Sequence, residues 1–378
     1  MEVKRLQIDQ ILKDLQKKMV FIAGPRQVGK TWLAQEVMKQ YKTARYLNYD
    51  STEDREVIRD KKWLQNTDLL VFDELHKMPG WKNYLKGLFD VTRVQQQNPV
   101  HILVTGSAGL DTYRFKGDSL VGRFFIHHLL PLSPREAVET FSNYDIEQLM
   151  SSGGFPQPFL EDKIEADRWR NEYIEGVLKF DVFTLADIRD LNAFRLVFEL
   201  LRGKVGSPVS ISSIAEDVEI SSHTVKKYID ILEALYVVFR VTPFSKKIAR
   251  SIKKEPKIYF FDTGLVKGDR GARVENFVAV NLLKQTFYQR DTKGSSTKLH
   301  YIRKRNGQEV DFCLSDEDHV QKVIEVKTSD LNLSKNLLYF SQEIAVPGLQ
   351  LVFDKDVEME SKGIEVRNIK KYLESMEV

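Results

Sequence analysis

Several stretches of this chain place reactive side chains at telling spacings. Gly24-Pro25-Arg26-Gln27-Val28-Gly29-Lys30-Thr31 fits G-x-x-x-x-G-K-[ST] in full. The glycines let the backbone wrap a phosphate, and N–H groups of the loop and of the following helix start point at the anion. Lys30 then brings a positive charge to the β- and γ-phosphates, and the Thr31 hydroxyl is a Mg²⁺ ligand. All eight residues are expected to line an ATP site. Leu69-Leu70-Val71-Phe72-Asp73-Glu74 reads as an apolar strand ending in two carboxylates. Asp73 would complete the Mg²⁺ shell, and Glu74 would polarise the attacking water as general base. A further strand ends in Thr105-Gly106-Ser107, where Thr105 or Ser107 would sense the γ-phosphate. Hydrolysis needs a cation where charge spreads over the γ-phosphoryl oxygens. Arg123 is the first candidate and Arg114 the second, acting on the nucleotide of the same chain or of a second copy.

A different chemistry is suggested by Glu309 to Lys327. Strand alternation puts Glu309, Asp311 and Cys313 on one face and Val310, Phe312 and Leu314 on the other. A hairpin through Ser315-Asp316-Glu317-Asp318, centred near Asp318, would set Asp311 across from Glu325. Two carboxylates facing one Mg²⁺, with Lys327 two residues on to orient or deprotonate water, suit phosphodiester hydrolysis. The alternative is that these acids only pair with neighbouring lysines in a binding or structural module.

The elements that would position these groups are legible around them. Apolar runs at Met19–Ala23, Tyr46–Tyr49, Leu69–Phe72, His101–Thr105 and Phe124–Leu130 alternate with helical or polar segments. Such alternation predicts an α/β core with a parallel sheet. Ser133-Pro134-Arg135-Glu136 looks like a helix start, and helices continue to about Gly203, interrupted at Gly153-Gly154-Phe155-Pro156. Ser207 to Phe244 reads as helix-turn-helix followed by a strand, the pattern of a winged helix. Its second helix carries His223, Thr224, Lys226 and Lys227, and a basic arm follows from Ser245 to Lys254. The last segment runs in the order αβββαβ.

Composition sets outer limits. A length of 378 residues exceeds one core and calls for several domains. With 42% hydrophobic and 29% charged residues the chain is globular, and its apolar runs are shorter than the roughly 18 residues of a spanning helix. No membrane partner and a cytoplasmic location are expected. A single cysteine, Cys313, excludes an internal disulfide and a thiolate metal cluster. The formal net charge of +3 conceals opposed regions. Residues 245–305 hold 16 Lys and Arg against 5 Asp and Glu, a net +11, whereas 306–378 hold 8 against 15, a net −7. A basic face beside a carboxylate group suits a polyanion and a metal.

The glycine-rich loop, Phe72 to Trp81, Thr105-Gly106-Ser107, Gly153 to Pro156, Lys257 to Leu265 and Val274 to Val278 together resemble the prokaryotic AAA-type P-loop ATPases with a C-terminal DUF4143 domain. The resemblance covers almost the whole chain. It implies an ATPase with a winged-helix segment and a restriction-endonuclease-like C-terminal domain, and Asp311 with Glu325-Val326-Lys327 is similar to the PD-(D/E)xK core. Glu275, on the preceding helix, matches the position of a third carboxylate. Ala108 and Phe180 depart from the family, which more often has serine and arginine there. The expected division is an ATPase core over 1–133, a helical lid or connector over 134–205, a winged helix over 206–256 and a nuclease-like domain over 257–378. The expected cofactors are ATP and Mg²⁺. Expected partners are DNA, through the winged helix and the basic segment 245–305, and a second copy of the chain should an arginine act in trans.

Overall fold

The computed structural model describes residues 3–63, 66–95, 100–106, 120–181, 188, 190–245 and 255–378. Ser107, Ala108, Arg114 and Lys246 to Lys254 therefore lie outside the described residues. The chain forms two compact units, Arg5–Leu130 and Pro131–Val378, the second taking in the first few residues of the chain.

The first unit is built on strands β1 (Met19–Ala23), β2 (Ala44–Asn48), β3 (Leu69–Asp73), β4 (His101–Gly106) and β5 (Phe124–His128). They are parallel, in the order β2-β3-β4-β1-β5. Every residue of β1 and β3 is buried, as continuous apolar strands covered on both faces must be. At the β2 edge only Leu47 is buried. Helix α1 (Ile8–Leu15) precedes β1, α2 (Lys30–Met38) follows it, and α3 (Thr52–Asp60) and α4 (Trp81–Gln95) flank β3 in sequence. Phe21, Leu70, Phe72, Leu85 and Val104 belong to one packed cluster. After β1 the chain crosses to the far edge and returns through β3 and β4. Ala23 is thereby level with Gly106, and Asp73 with Thr105. The strand ends that carry the predicted chemistry share one edge of the sheet, where ligands of open α/β sheets bind.

The second unit opens with α5 (Pro134–Thr140), α6 (Ile146–Ser151), α7 (Pro156–Leu160), α8 (Lys163–Gly176) and α9 (Leu191–Arg202). Ser133 and Glu136 cap α5 reciprocally in a capping box. Gly153 and Gly154 both have positive φ, and a Cβ on Gly153 would lie 1.7 Å from Asp262 Oδ1. That carboxylate is buried, accepts from Arg170 Nε at 2.9 Å and from the Gly264 amide at 2.8 Å. Two of the sequence motifs, around Gly153 and around Asp262, thus meet as one structural joint.

Next come α10 (Ile211–Val218), α11 (Ser222–Ala234) and the antiparallel pair β6 (Val238–Pro243) and β7 (Lys257–Phe260). Glu219 ends α10 in the left-handed region, and Ser221 caps α11 by accepting from the Thr224 amide. The long helix α12 (Arg270–Lys293), strands β8 (Lys298–Arg303), β9 (Glu309–Asp316) and β10 (His319–Lys327), helix α13 (Lys335–Ile344) and strand β11 (Gly348–Val352) then follow the predicted αβββαβ order. Strands β12 (Glu358–Ser361) and β13 (Ile364–Asn368) and helix α14 (Ile369–Glu374) extend it. Their sequence carried no apolar run; β12 is largely exposed, and Lys362-Gly363, both at positive φ, makes a tight hairpin turn.

Among the described residues this sheet has eight strands, ordered β12-β13-β11-β10-β9-β8-β6-β7. β6 pairs with β7 and, in parallel, with β8, so the sheet runs across the position between 256 and 257 where a domain boundary was expected. One face assignment is corrected. Cys313 does not share a face with Glu309 and Asp311; it packs with Val310, Leu337 and Phe340. The β8–β9 register slips between His300 and Ile302, and this bulge on β9 inverts the alternation beyond Asp311.

Candidate functional site

The glycine-rich loop leaves β1 and enters α2 through Gly29, whose φ of 101° favours glycine. Gly24 is also obligatory, because a Cβ there would lie 2.1 Å from the Leu129 carbonyl oxygen. Arg5, buried near the chain start, braces the loop by donating to the carbonyls of Val28 and Leu130. Arg26 and Gln27 are exposed at the crest. Lys30 is 8% exposed and donates to the carbonyls of Gly24 at 3.0 Å and Pro25 at 2.6 Å. Burial pushes its pKa down to about 8, against the pull of Glu74 and Asp73.

Asp73 is the hub. Its Oδ1 accepts from Thr105 Oγ1 at 2.6 Å, and its Oδ2 accepts from Thr31 Oγ1 at 3.2 Å and from the Tyr46 hydroxyl. Burial and the Asp73 carboxylate raise the Tyr46 phenol. Glu74 follows at φ 54°, with its Oε2 3.5 Å from both His76 Nε2 and Lys77 Nζ. Lys77 also reaches Asp50 at 2.6 Å. Burial lowers the His76 pKa, keeping that ring neutral beside the carboxylate. Lys30, Thr31 and Asp73 are thus assembled as a magnesium-nucleotide site requires: an ammonium satisfied only by loop carbonyls, and a carboxylate whose donors are all exchangeable hydroxyls.

The second cluster lies on the sheet of the other unit. The β9–β10 register pairs Cys313 with Val323 and Phe312 with Ile324, and Asp311 lies beside the Glu325–Lys327 end of β10. Asp311 Oδ2 accepts from the Val326 amide at 2.9 Å. Glu325 Oε1 accepts from Lys327 Nζ at 2.8 Å and Ser334 Oγ at 3.1 Å, while its buried Oε2 has no hydrogen-bond partner. Burial and the neighbouring Asp311 raise the Glu325 carboxyl. From α12, Glu275 accepts from Tyr259 at 2.6 Å, and burial with Asp311 nearby pushes its pKa up to about 7.

Lys257 occupies the middle of this group. Its Nζ lies 2.8 Å from Glu309, 3.2 Å from Glu275 and 3.8 Å from Asp311, and its side chain is 1% exposed. Burial alone would lower this ammonium; the Glu275, Asp311 and Glu309 carboxylates outweigh it and hold it above the ordinary lysine range. Among the described residues no group of three or more His, Cys, Asp or Glu is arranged to hold a metal ion.

Family comparisons match an AAA domain over residues 16–138, a domain of unknown function, DUF8612, over 143–271, and another, DUF4143, over 270–372. The chain thus carries an AAA-type P-loop domain and a C-terminal DUF4143 domain. An uncharacterized protein of Mycobacterium tuberculosis is 28% identical over 254 residues, 66% of this chain and 55% of that protein. The match thus spans about half the length of that relative. An uncharacterized protein of Methanocaldococcus jannaschii is 23% identical over 94% of this chain and 85% of its own length. A Walker-type ATPase of Pyrococcus abyssi aligns in structure with a TM-score of 0.46 and 13% identity, covering 70% of this chain and 95% of that one.

In the AAA domain the structure brings Lys30, Thr31, Asp73, Glu74 and Thr105 to one sheet edge. It does not bring Arg123 there. Met19 pairs with Phe124 and Ala23 with His128, so Arg123 sits at the opposite ends of the strands, about 16 Å away at about 3.3 Å per residue. Its guanidinium is bound to Asp90 at 2.8 and 3.0 Å. A role for Arg123 on the nucleotide of its own chain is therefore corrected: parallel pairing puts the start of β5 at the wrong edge. Glu275, Asp311, Glu325 and Lys327 do meet. Sequence reasoning missed Tyr46, Arg5 and Lys257. For Lys257 the signal was present, a lysine heading the apolar run Ile258-Tyr259-Phe260-Phe261 and sharing its strand face with Tyr259.

Proposed function

We propose that this ATPase hydrolyses ATP with Mg²⁺ and uses the nucleotide cycle to act on DNA. The observation that carries the first part is the convergence of Thr31, Tyr46 and Thr105 on Asp73 at the strand ends, with Lys30 at the start of the helix that follows the loop. Bound Mg²⁺ would supply charge neutralisation between the phosphates. Lys30 would exchange its loop carbonyls for phosphate oxygens, Thr31 and Asp73 would hold the ion, and Glu74 would take the proton of the attacking water. Lys77, 3.5 Å from Glu74 Oε2, gives that carboxylate a cation until then. Arg123, if it serves catalysis, serves a second copy's nucleotide.

The DNA reading rests on α9, α10 and α11 followed by the β6–β7 pair, with a bridge between Pro208 and Lys257, which we read as a winged helix. His223, Lys226 and Lys227 are exposed on α11, whose opposite side buries Val225, Tyr228, Ile229 and Leu232. The connection between β6 and β7 contains Lys246, Lys247, Arg250, Lys253 and Lys254. Such groups suit phosphate contacts. The α12-to-β11 series supports a restriction-endonuclease-like reading of the C-terminal part, with Asp311 bonded to the Val326 amide between Glu325 and Lys327 as its observation.

The test follows phosphate release and DNA binding by the parent, Lys30→Ala and Glu74→Gln. Loss of hydrolysis in both variants, with nucleotide still bound by Glu74→Gln, is expected. Unchanged phosphate release in either variant would end the ATPase reading.

A further inference from the structure

We infer that Lys257 is the resident cation of the C-terminal carboxylate cluster, standing where a divalent metal would otherwise sit, so that the parent domain holds no metal there. This inference takes from the nuclease-like reading only the expectation of a metal; the seating of Lys257 is independent of it. The distances are those of an ammonium, 2.8 Å to Glu309, 3.2 Å to Glu275 and 3.8 Å to Asp311, whereas Mg²⁺ requires oxygens at about 2.0–2.1 Å. An ammonium has three N–H donors, and three carboxylates surround this one. The stem is enclosed: the side chain is 1% exposed, and the ammonium also lies 5.5 Å from the centre of the Tyr301 ring. A divalent ion entering the same cluster would meet a fixed positive charge within a few ångströms.

The remaining ligands do not make a second site. Asp311 Oδ2 is engaged by the Val326 amide, and Glu325 Oε1 by Lys327 and Ser334. Among the described residues Glu325 Oε2 is one unpartnered oxygen, whereas Mg²⁺ held by protein takes one or two carboxylates besides its waters, and the second carboxylate here, Asp311, faces Lys257 through Oδ1. Glu275 is tied further by the Tyr259 hydroxyl, and Glu309 by Arg303 at 3.1 Å. The β7 strand therefore delivers a tethered monovalent ion to a nuclease-like carboxylate set, balancing its charge without metal.

The experiment is Mn²⁺ titration of nucleotide-free, full-length protein, read by the electron paramagnetic resonance of free Mn²⁺, on the parent, Asp311→Asn, Lys257→Met and Lys257→Met/Asp311→Asn. The parent and Asp311→Asn are expected to bind Mn²⁺ identically. Lys257→Met is expected to gain one site at least tenfold tighter than any in the parent, lost again in the double variant. A parent site abolished by Asp311→Asn would overturn the inference, as would a folded Lys257→Met that gains none. Should Lys257→Met not fold, the comparison of parent with Asp311→Asn decides alone. Because nucleotide is absent, failure of the ATPase reading leaves these outcomes untouched, and DNA cleavage assayed on the same samples tests the nuclease-like reading separately.

Discussion

Lys30 offers a quantitative test of how the glycine-rich loop is built. Its ammonium is enclosed, with two loop carbonyls as its partners among the described residues, and burial brings its pKa to about 8. Phosphate oxygens would restore the proton's preference for lysine, so binding above that pH must take up a proton. The observed affinity should then be divided by 1 + 10^(pH − pKa). It should be nearly unaffected at pH 7 and roughly 30-fold weaker at pH 9.5. Calorimetric ATP titration at constant ionic strength and free Mg²⁺, in buffers of different ionisation heats, measures both the affinity and the proton taken up. Uptake should approach one proton per nucleotide at the upper pH. The stability of the free protein should move the other way. The folded pKa of Lys30 lies below its unfolded value, so folding releases a proton and stability rises as pH climbs from about 8 through the ordinary lysine range. Lys30→Met should abolish both trends. A flat affinity from pH 7 to 9.5, or the same slope in Lys30→Met, would refute the burial argument.

Other outcomes follow from particular contacts. Arg170→Met leaves the buried Asp262 carboxylate without its cation and should cost about 3–5 kcal/mol in urea unfolding; a loss under about 1 kcal/mol would mean the joint is not structural. Gly153→Ala, forced against Asp262 at positive φ, should destabilise by several kcal/mol without altering nucleotide affinity per folded molecule. Arg123→Ala should leave ATP affinity within about twofold, because its partner is Asp90 at the far strand ends; a tenfold loss would contradict the sheet register. Charge reversal at Lys226 and Lys227 should weaken DNA binding and reduce the slope of log affinity against log salt by about two, measured by fluorescence anisotropy. An unchanged slope would place the DNA contacts elsewhere.

The nucleotide site was legible because its chemistry is local. Gly24 to Thr31 must be contiguous to wrap a phosphate, and Asp73 announces itself at the end of an apolar strand. Helix caps such as Ser133 and Ser221 were legible for the same reason. Contacts spanning many residues were not. Tyr46 is an ordinary strand residue until β2 lies beside β3, and only then does its hydroxyl reach Asp73. Arg123 looked suitable until parallel pairing put it at the opposite edge. Strand alternation failed for Cys313, because a bulge is a property of two paired strands rather than of one sequence. The spacing of Asp311, Glu325 and Lys327 pointed to a carboxylate group by itself, and the family resemblance added Glu275. Its cation was decided only by tertiary structure. Lys257 reaches Glu309 and Asp311, more than fifty residues later in the chain, through the packing of β7 and α12 against β9, and burial then makes that one charge the counter-ion of the cluster.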